Sequence, residues 1–187
     1  MCETWGSGER FGYSVLADNR VYCYATANAA EGADDSGLAG LRERFGAWHD
    51  PIPELLGAAE PDAVLHLDIY DLPPLRSYAK GNVVLVGDAA HAMTPNLGQG
   101  ACQALEDAVV LGRALTECSE SAVAGRLADY DRERRPRTQY IARRSAQIGV
   151  VAQWASPVAV GLRNTGLALL PSASLARSLA PALDWPG

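Results

Sequence analysis

The sequence has no uninterrupted apolar run of membrane-spanning length, roughly 18 residues or more, so no transmembrane helix and no membrane partner are expected. Positive charge is scarce. Sixteen Lys and Arg stand against 22 Asp and Glu, a net charge of -6. This excludes a nucleic-acid partner held through its phosphate backbone, which needs a basic surface. The opening MCETWGSGERFG lacks the basic-then-apolar order of a secretory signal, so a reducing cytoplasm is the expected location. The four cysteines, Cys2, Cys23, Cys102 and Cys118, have no paired short spacing and read as free thiols. His91 has no second ligand at helical spacing, and His49 and His66 lie on other elements, so no metal site is expected. There is no G-x-S-x-G nucleophile elbow, and no catalytic side chain is assigned. Nor does a G-x-G-x-x-G open a βαβ unit. Gly6-Ser7-Gly8-Glu9-Arg10-Phe11 lacks the last glycine and leads into a strand.

What is present is an ordinary globular composition, 187 residues with 48% hydrophobic and 20% charged. That is enough for one large domain or two small ones. The stretch Gly81–Leu115 organises the rest. Val83, Val84, Leu85 and Val86 form a continuous run suited to a strand buried on both faces of a parallel sheet. Gly87-Asp88 ends it, at the strand end where α/β sheets place ligands. A loop with Pro95, Asn96, Gly98 and Gly100 follows, then a helix whose start offers free amides to a negative group.

Before this stretch, Arg10–Leu16 and Arg20–Thr26 form a hairpin around Ala17-Asp18-Asn19, with Trp5 ahead of it as core or sheet face. Tyr22 and Tyr24 suit cross-strand packing or substrate contact. Ala29–Gly37 reads as a loop. Leu38–Trp48 is a helix with Leu38, Leu41, Phe45 and Trp48 at helical spacing, and Pro53–Ala59 is a second, short one. Ala63–Tyr70 alternates as a strand of a one-sided sheet. Pro73-Pro74 then lies in an extended connector, where the strand character changes and a boundary is expected. After the stretch, Ser119–Gly125 is a break and Leu127–Ile148 a long helix, bent or started at Pro136. Ile141, Ser145, Ile148 and Ala152 make its buried stripe, and its many arginines a solvated or salt-bridged face. Short apolar helices such as Val158–Leu170 lie between Pro157, Pro171, Pro181 and Pro186.

GDAAHAMTP, then GQG, then the helix ALEDAVVLGRAL together resemble the second flavin-binding motif of the FAD-dependent class A monooxygenases. These are the para-hydroxybenzoate hydroxylase-like family, and the similarity is to its salicylate hydroxylase and zeaxanthin epoxidase branch. The resemblance implies an α/β fold, α+β in the substrate part: a partial Rossmann-like FAD-binding domain, an antiparallel substrate-domain sheet and C-terminal helices. Residues 1–76 would be the substrate sheet, 77–130 the rear of the FAD-binding domain, and 131–187 the C-terminal helices.

The same resemblance assigns cofactor roles. Asp88 would bond the ribityl chain of FAD, and Pro95 would lie beside the isoalloxazine ring. Gly98, Gln99 and Gly100 would carry the loop past the flavin and pyrophosphate. The amides of Ala101 and Cys102 would face the flavin N1 and O2 edge, where reduced flavin concentrates its negative charge. The helix would then pack through Ala101, Ala104, Leu105, Ala108, Leu111 and Leu115, leaving Glu106, Asp107 and Arg113 as structural residues. NAD(P)H would be the transient reductant. O2 and a small aromatic or unsaturated molecule would be the substrates.

The ADP-binding turn and the family's Asp-Gly motif are absent, Asp35-Ser36-Gly37 being only a loop. The chain therefore reads as an N-terminally incomplete member that binds FAD weakly or not at all by itself. Its partner would be a missing FAD-binding half or a second copy. The alternatives are a non-catalytic remnant or interaction module of the same fold, and a related flavoprotein reductase or halogenase.

Overall fold

A computed structural model describes residues 2–33 and 36–185. Asp34, Asp35 and Pro186, which enter the loop and tail readings above, lie outside the described residues. The chain divides into two compact units. The first holds the residues up to Asp68 together with Val150–Ala168, and the second holds Ile69–Gly149 and the residues from Leu169 on.

In the first unit, β1 (Cys2–Trp5), β2 (Glu9–Val15) and β3 (Val21–Ala27) form one antiparallel sheet in the order β1-β2-β3. The expected hairpin is β2 and β3, with Glu9 opposite Ala27 and Val15 opposite Val21. Trp5 belongs to β1, opposite Arg10. The Gly6–Gly8 segment is a tight turn between strands: the Gly6 amide donates to the Glu9 carbonyl at 2.8 Å, and Gly8 has φ +73°. One sheet face packs on α1 (Gly37–Phe45) and α2 (Ile52–Ala58) around Phe11, Leu38, Phe45, Ile52 and Leu56. The ring centroids of Phe11 and Phe45 are 5.6 Å apart. Period-2 and period-3.6 apolar patterns thus meet in a single core.

The other sheet face is polar and closely fitted. A Cβ on Gly12 would lie 2.2 Å from the Tyr24 ring, so this glycine is what lets the ring cross its strand. Burial, and then the nearby Glu3, push the Tyr24 phenol up to about 12, so it remains a donor. Arg10 is buried and bonds Glu3, Thr26 and Gln153. Within the same unit, Arg163 of α6 (Pro157–Leu169) donates to the Ala152 and Gly6 carbonyls at 2.8 Å each and lies over the Trp5 ring.

One expectation fails here. Residues 64–70 form no strand, and Leu65, Leu67 and Ile69 are exposed. Alternation supplies two faces, but a strand also needs a neighbouring strand, and among the described residues none pairs with this segment.

The second unit opens with a two-residue hairpin, β4 (Ala79–Lys80) and β5 (Val83–Val84), antiparallel across Gly81 at φ +59°. The run expected as a strand buried on both faces is therefore short, antiparallel and open. Val83 and Val86 are exposed, Val83 at 66%. A hydrophobic run is buried on both faces only where strands flank it and layers cover it. Among the described residues β5 has β4 on one side only.

After β5 come α3 (Asp88–His91), a short 3-10 turn Pro95–Leu97, α4 (Gly100–Leu115) and α5 (Val123–Ala152). α5 runs through Pro136 without a break. Two anchors beside the proline hold it. The Tyr78 hydroxyl meets Thr138 Oγ1 at 2.7 Å, and the Asp131 carboxylate accepts the Tyr78 amide at 2.8 Å. Ile141, Ser145 and Ala152 are buried and Ile148 half-buried, as the stripe requires. The unit's apolar core is Tyr78, Ala90, Val110 and Tyr130, with Val84 and Leu111 packed against it. α6 and α7 (Ser172–Leu183) supply the expected tail helices. Among the described residues, no helix is long and apolar enough to cross a membrane.

Candidate cofactor site

All seven sequence-assigned cofactor residues lie in the second unit, on one continuous path. Asp88 opens α3 and is exposed. Pro95 opens the 3-10 turn, exposed, and Gly98 closes it in the left-handed region at φ +62°. Gln99 stands immediately before α4, half-buried, and Gly100 is its first residue. Ala101 and Cys102 follow, both exposed. The first intrahelical bond runs from the Gln103 amide to the Gln99 carbonyl at 2.9 Å. The amides of Gly100, Ala101 and Cys102 precede it and remain available to a ligand. A Cβ on Gly98 or Gly100 would meet nothing within 4 Å, so the backbone there borders open space.

Two ties set this path. Gly87 has φ 57° and ψ -139°, a conformation that essentially only glycine adopts. It turns the chain from the strand into α3 and brings Gly87 against Ala104, one helical turn beyond Gly100. Replacing Gly87 by Ala is expected to cost about 1–3 kcal/mol, measured by urea denaturation. An unchanged midpoint would remove this reading of the turn. The second tie holds the Pro95 loop to α5. Ser145 Oγ donates to the Thr94 carbonyl at 2.5 Å, and Asn96 Nδ2 donates to the Ser145 carbonyl at 3.0 Å.

Beneath the path lies a buried charge network. Asp107 Oδ2 accepts the Gly87 amide at 2.9 Å and His91 Nε2 at 2.6 Å. Its other oxygen accepts Arg134 Nε at 2.7 Å. Arg134, 1% exposed, also donates to Glu106 Oε2 at 2.5 Å and to the Gln103 side-chain oxygen at 2.8 Å. Arg137 closes the set with two bonds to Glu106, at 2.7 and 2.9 Å. Burial alone would raise both carboxyls. For Glu106 the bonds from Arg137 and Arg134 outweigh it, and for Asp107 those from His91, Arg134 and the Gly87 amide do. Both are held below the usual carboxylate range. One carboxylate therefore fixes the Asp88 turn to the helix whose start carries Gly98–Cys102.

The helix itself is turned over relative to its sequence pattern. α4 buries Gln103, Glu106, Asp107 and Val110, while Ala101, Leu105, Ala108 and Leu115 of the expected stripe are exposed. Ala104 and Leu111 are half-buried. The physical reason is Arg134, a buried cation that draws the two acids inward. Glu106 and Asp107, expected off the packing stripe, lie on the buried face and are ion-paired. Arg134, read as part of a solvated or salt-bridged face, is on the salt-bridged side of that choice but buried. His91 is buried and hydrogen-bonded to Asp107, although its Nδ1 is buried with no partner among the described residues. Sequence reasoning missed the convergence of Gln103, Asp107 and Arg134. For Gln103 and Asp107 the hint was polar character in an otherwise apolar helix; Arg134, one of many arginines on α5, gave none.

A family model described as an FAD binding domain matches residues 71–145. The aurachin C monooxygenase/isomerase of Stigmatella aurantiaca is 41% identical over 172 residues, 91% of this chain and 44% of that protein. The 2-heptyl-3-hydroxy-4(1H)-quinolone synthase of Pseudomonas aeruginosa is 38% identical over 184 residues, 94% of this chain and 46% of that protein. Among solved structures, Klebsiella pneumoniae HpxO complexed with FAD and uric acid superposes with a TM-score of 0.86 at 25% identity, covering 95% of this chain and 46% of that one. The chain thus spans just under half the length of these two curated relatives.

Proposed function

The chain belongs to the FAD-dependent class A monooxygenases, and on that premise we propose that it carries the flavin-ring half of an FAD site. The enzyme so formed uses NAD(P)H and O2 to hydroxylate or epoxidise a small aromatic or unsaturated molecule in the cytoplasm. The observation that carries this reading is the pairing of an exposed Asp88 with the free helix start at Gly100–Cys102, both tied to Asp107 through its place on α4 and its bond to Gly87. The residues suit the cofactor. A flat ring needs backbone that approaches without side chains, which Gly98 and Gly100 provide. A polyhydroxyl chain needs an acceptor, which the Asp88 carboxylate provides. Negative charge on the ring edge needs donors, which the α4 start provides.

When bound, the flavin supplies the oxygen-transfer chemistry. The protein's own part is to bind, orient and exclude water. Gly98–Cys102 would hold the ring edge, and Pro95, whose loop is held through Thr94 and Asn96, would wall one side of it. Asp88 fixes the chain leading away from the ring. No side chain is assigned a proton-transfer role.

Replacing Asp88 by Ala is expected to weaken FAD binding about tenfold or more, since a hydrogen bond to a charged group contributes about 1.5–3 kcal/mol. Titration of FAD followed by flavin fluorescence measures it, with circular dichroism as the folding control. Equal affinity of the variant and the parent would overturn the assignment. NADH or NADPH oxidation that depends on both added FAD and a substrate tests the activity itself.

A further inference from the structure

Ser145 and Gly149 stand four residues apart on α5, and hence on one face of it. Ser145 is fully buried and Gly149 half-buried. Against them sit the two residues that flank Pro95. The Ser145 hydroxyl donates to the Thr94 carbonyl at 2.5 Å, and the Thr94 hydroxyl donates to Ser145 Oγ at 3.1 Å. Asn96 Nδ2 donates to Thr94 Oγ1 at 2.9 Å and to the Ser145 carbonyl at 3.0 Å. Both amide hydrogens of Asn96 and both hydroxyl hydrogens are thereby used.

Gly149 is what gives Asn96 its place. Cα–Cβ bonds on a helix tilt toward its N-terminus, so a side chain at 149 would lean toward Ser145. A Cβ there would stand 2.4 Å from Asn96 Nδ2, well inside contact distance. Gly125, an earlier glycine of the same helix, has nothing within 4 Å. Glycine inside a helix is unfavourable relative to alanine. At 149 the space it leaves is filled by the Asn96 amide on its way to the Ser145 carbonyl.

We propose that Asn96 and Gly149 are positioning residues for the cofactor. They form a latch that fixes the Pro95 loop on α5 before a ligand arrives, and it closes only when residue 149 has no side chain. Pro95 itself is exposed, so its position is inherited from the residues on either side of it. A loop ordered beforehand costs a ligand less to bind. The proposal rests on the flavin reading above, which makes Pro95 a wall of the ring site.

The test uses the 187-residue chain and three variants: Gly149→Ala, Asn96→Ala and the two combined. Hydrogen exchange of residues 94–98, read by mass spectrometry without FAD, reports the latch. FAD titration followed by flavin fluorescence reports the site. In Gly149→Ala the new methyl meets the far end of the Asn96 side chain, which swings out. Exchange at residues 94–98 is expected to rise about tenfold, while exchange in α4 stays as in the parent. The urea midpoint is expected to stay or to rise, since alanine suits the helix better than glycine. FAD affinity is expected to fall about fivefold or more, the cost of ordering the loop on binding. Asn96→Ala gives the same changes in exchange and affinity. The combination adds nothing to either, because both variants act on one contact. Asn96→Ala adds no atoms, so it reads the latch even where Gly149→Ala disturbs the helix.

Unchanged exchange at residues 94–98 in both single variants overturns the latch. Raised exchange with FAD affinity equal to the parent's keeps the latch and overturns its role toward the cofactor. A combination more severe than both single variants shows two independent contacts and overturns the pairing. The expected exchange changes in a chain whose parent form takes up no FAD leave the latch standing and count against the flavin reading alone.

Discussion

Replacing Arg134 by Ala is expected to destabilise the second unit by about 3–5 kcal/mol, the cost of removing one partner from a buried ion pair. The guanidinium is 1% exposed and satisfies both Glu106 and Asp107 as well as Gln103. Its loss leaves two buried carboxylates with fewer donors and no adjacent cation at Asp107 other than His91 when protonated. Against a typical total stability of about 5–15 kcal/mol, that loss is a large fraction. Urea denaturation followed by circular dichroism measures it. The network also predicts non-additivity: Arg134→Ala combined with Asp107→Ala should cost clearly less than the two single changes together. A single-variant cost below about 1 kcal/mol, the range of exposed pairs, would show that the network does not hold the unit together.

Asp107→Asn tests the same network through pH. In the folded chain both Asp107 and Glu106 are held below the usual carboxylate range, whereas unfolding returns them to about 4. A depressed folded pKa contributes stability that is full above the unfolded value and is lost as pH falls through the folded one. The parent chain should therefore hold its stability through neutral pH and lose it steeply below roughly pH 4. Asp107→Asn should be less stable at pH 7, because a neutral amide replaces the anion that answers Arg134 and His91. Its acid loss should be shallower, with only Glu106 of the pair still titrating. Denaturation midpoints at a series of pH values check both features. Parallel curves for parent and variant would contradict the coupling.

Much of the local structure is legible in residue order. The β2–β3 hairpin follows from alternation around Ala17-Asp18-Asn19. α1 and α2 follow from the spacing of Leu38, Leu41 and Phe45 and from Pro53 near a helix start. The cofactor loop follows from Gly87, Pro95, Gly98 and Gly100 at fixed separations. These are short-range properties: steric limits on φ and ψ, and apolar periodicity within one element.

What failed were statements about neighbours. Residues 63–70 and Val83–Val86 both have strand composition, yet the first forms no strand and the second keeps only two residues of one. Strand composition becomes a sheet only when another strand answers its backbone groups. The apolar periodicity of α4 favoured the face with Leu105, Ala108 and Leu115, and the folded unit buries the face with Gln103, Glu106 and Asp107.

The sequence by itself determined the β2–β3 hairpin, α1 and α2, the turn at Gly87 and the helix start at Gly100. Only the tertiary structure decided that α4 turns its acids inward and that Asp107 ties the Asp88 turn to that helix. The reason is the buried guanidinium of Arg134. A cation taken out of water must be met by anions wherever the chain can bring them, and that demand acts between residues 27 and 28 positions apart, beyond the reach of any periodicity within one helix.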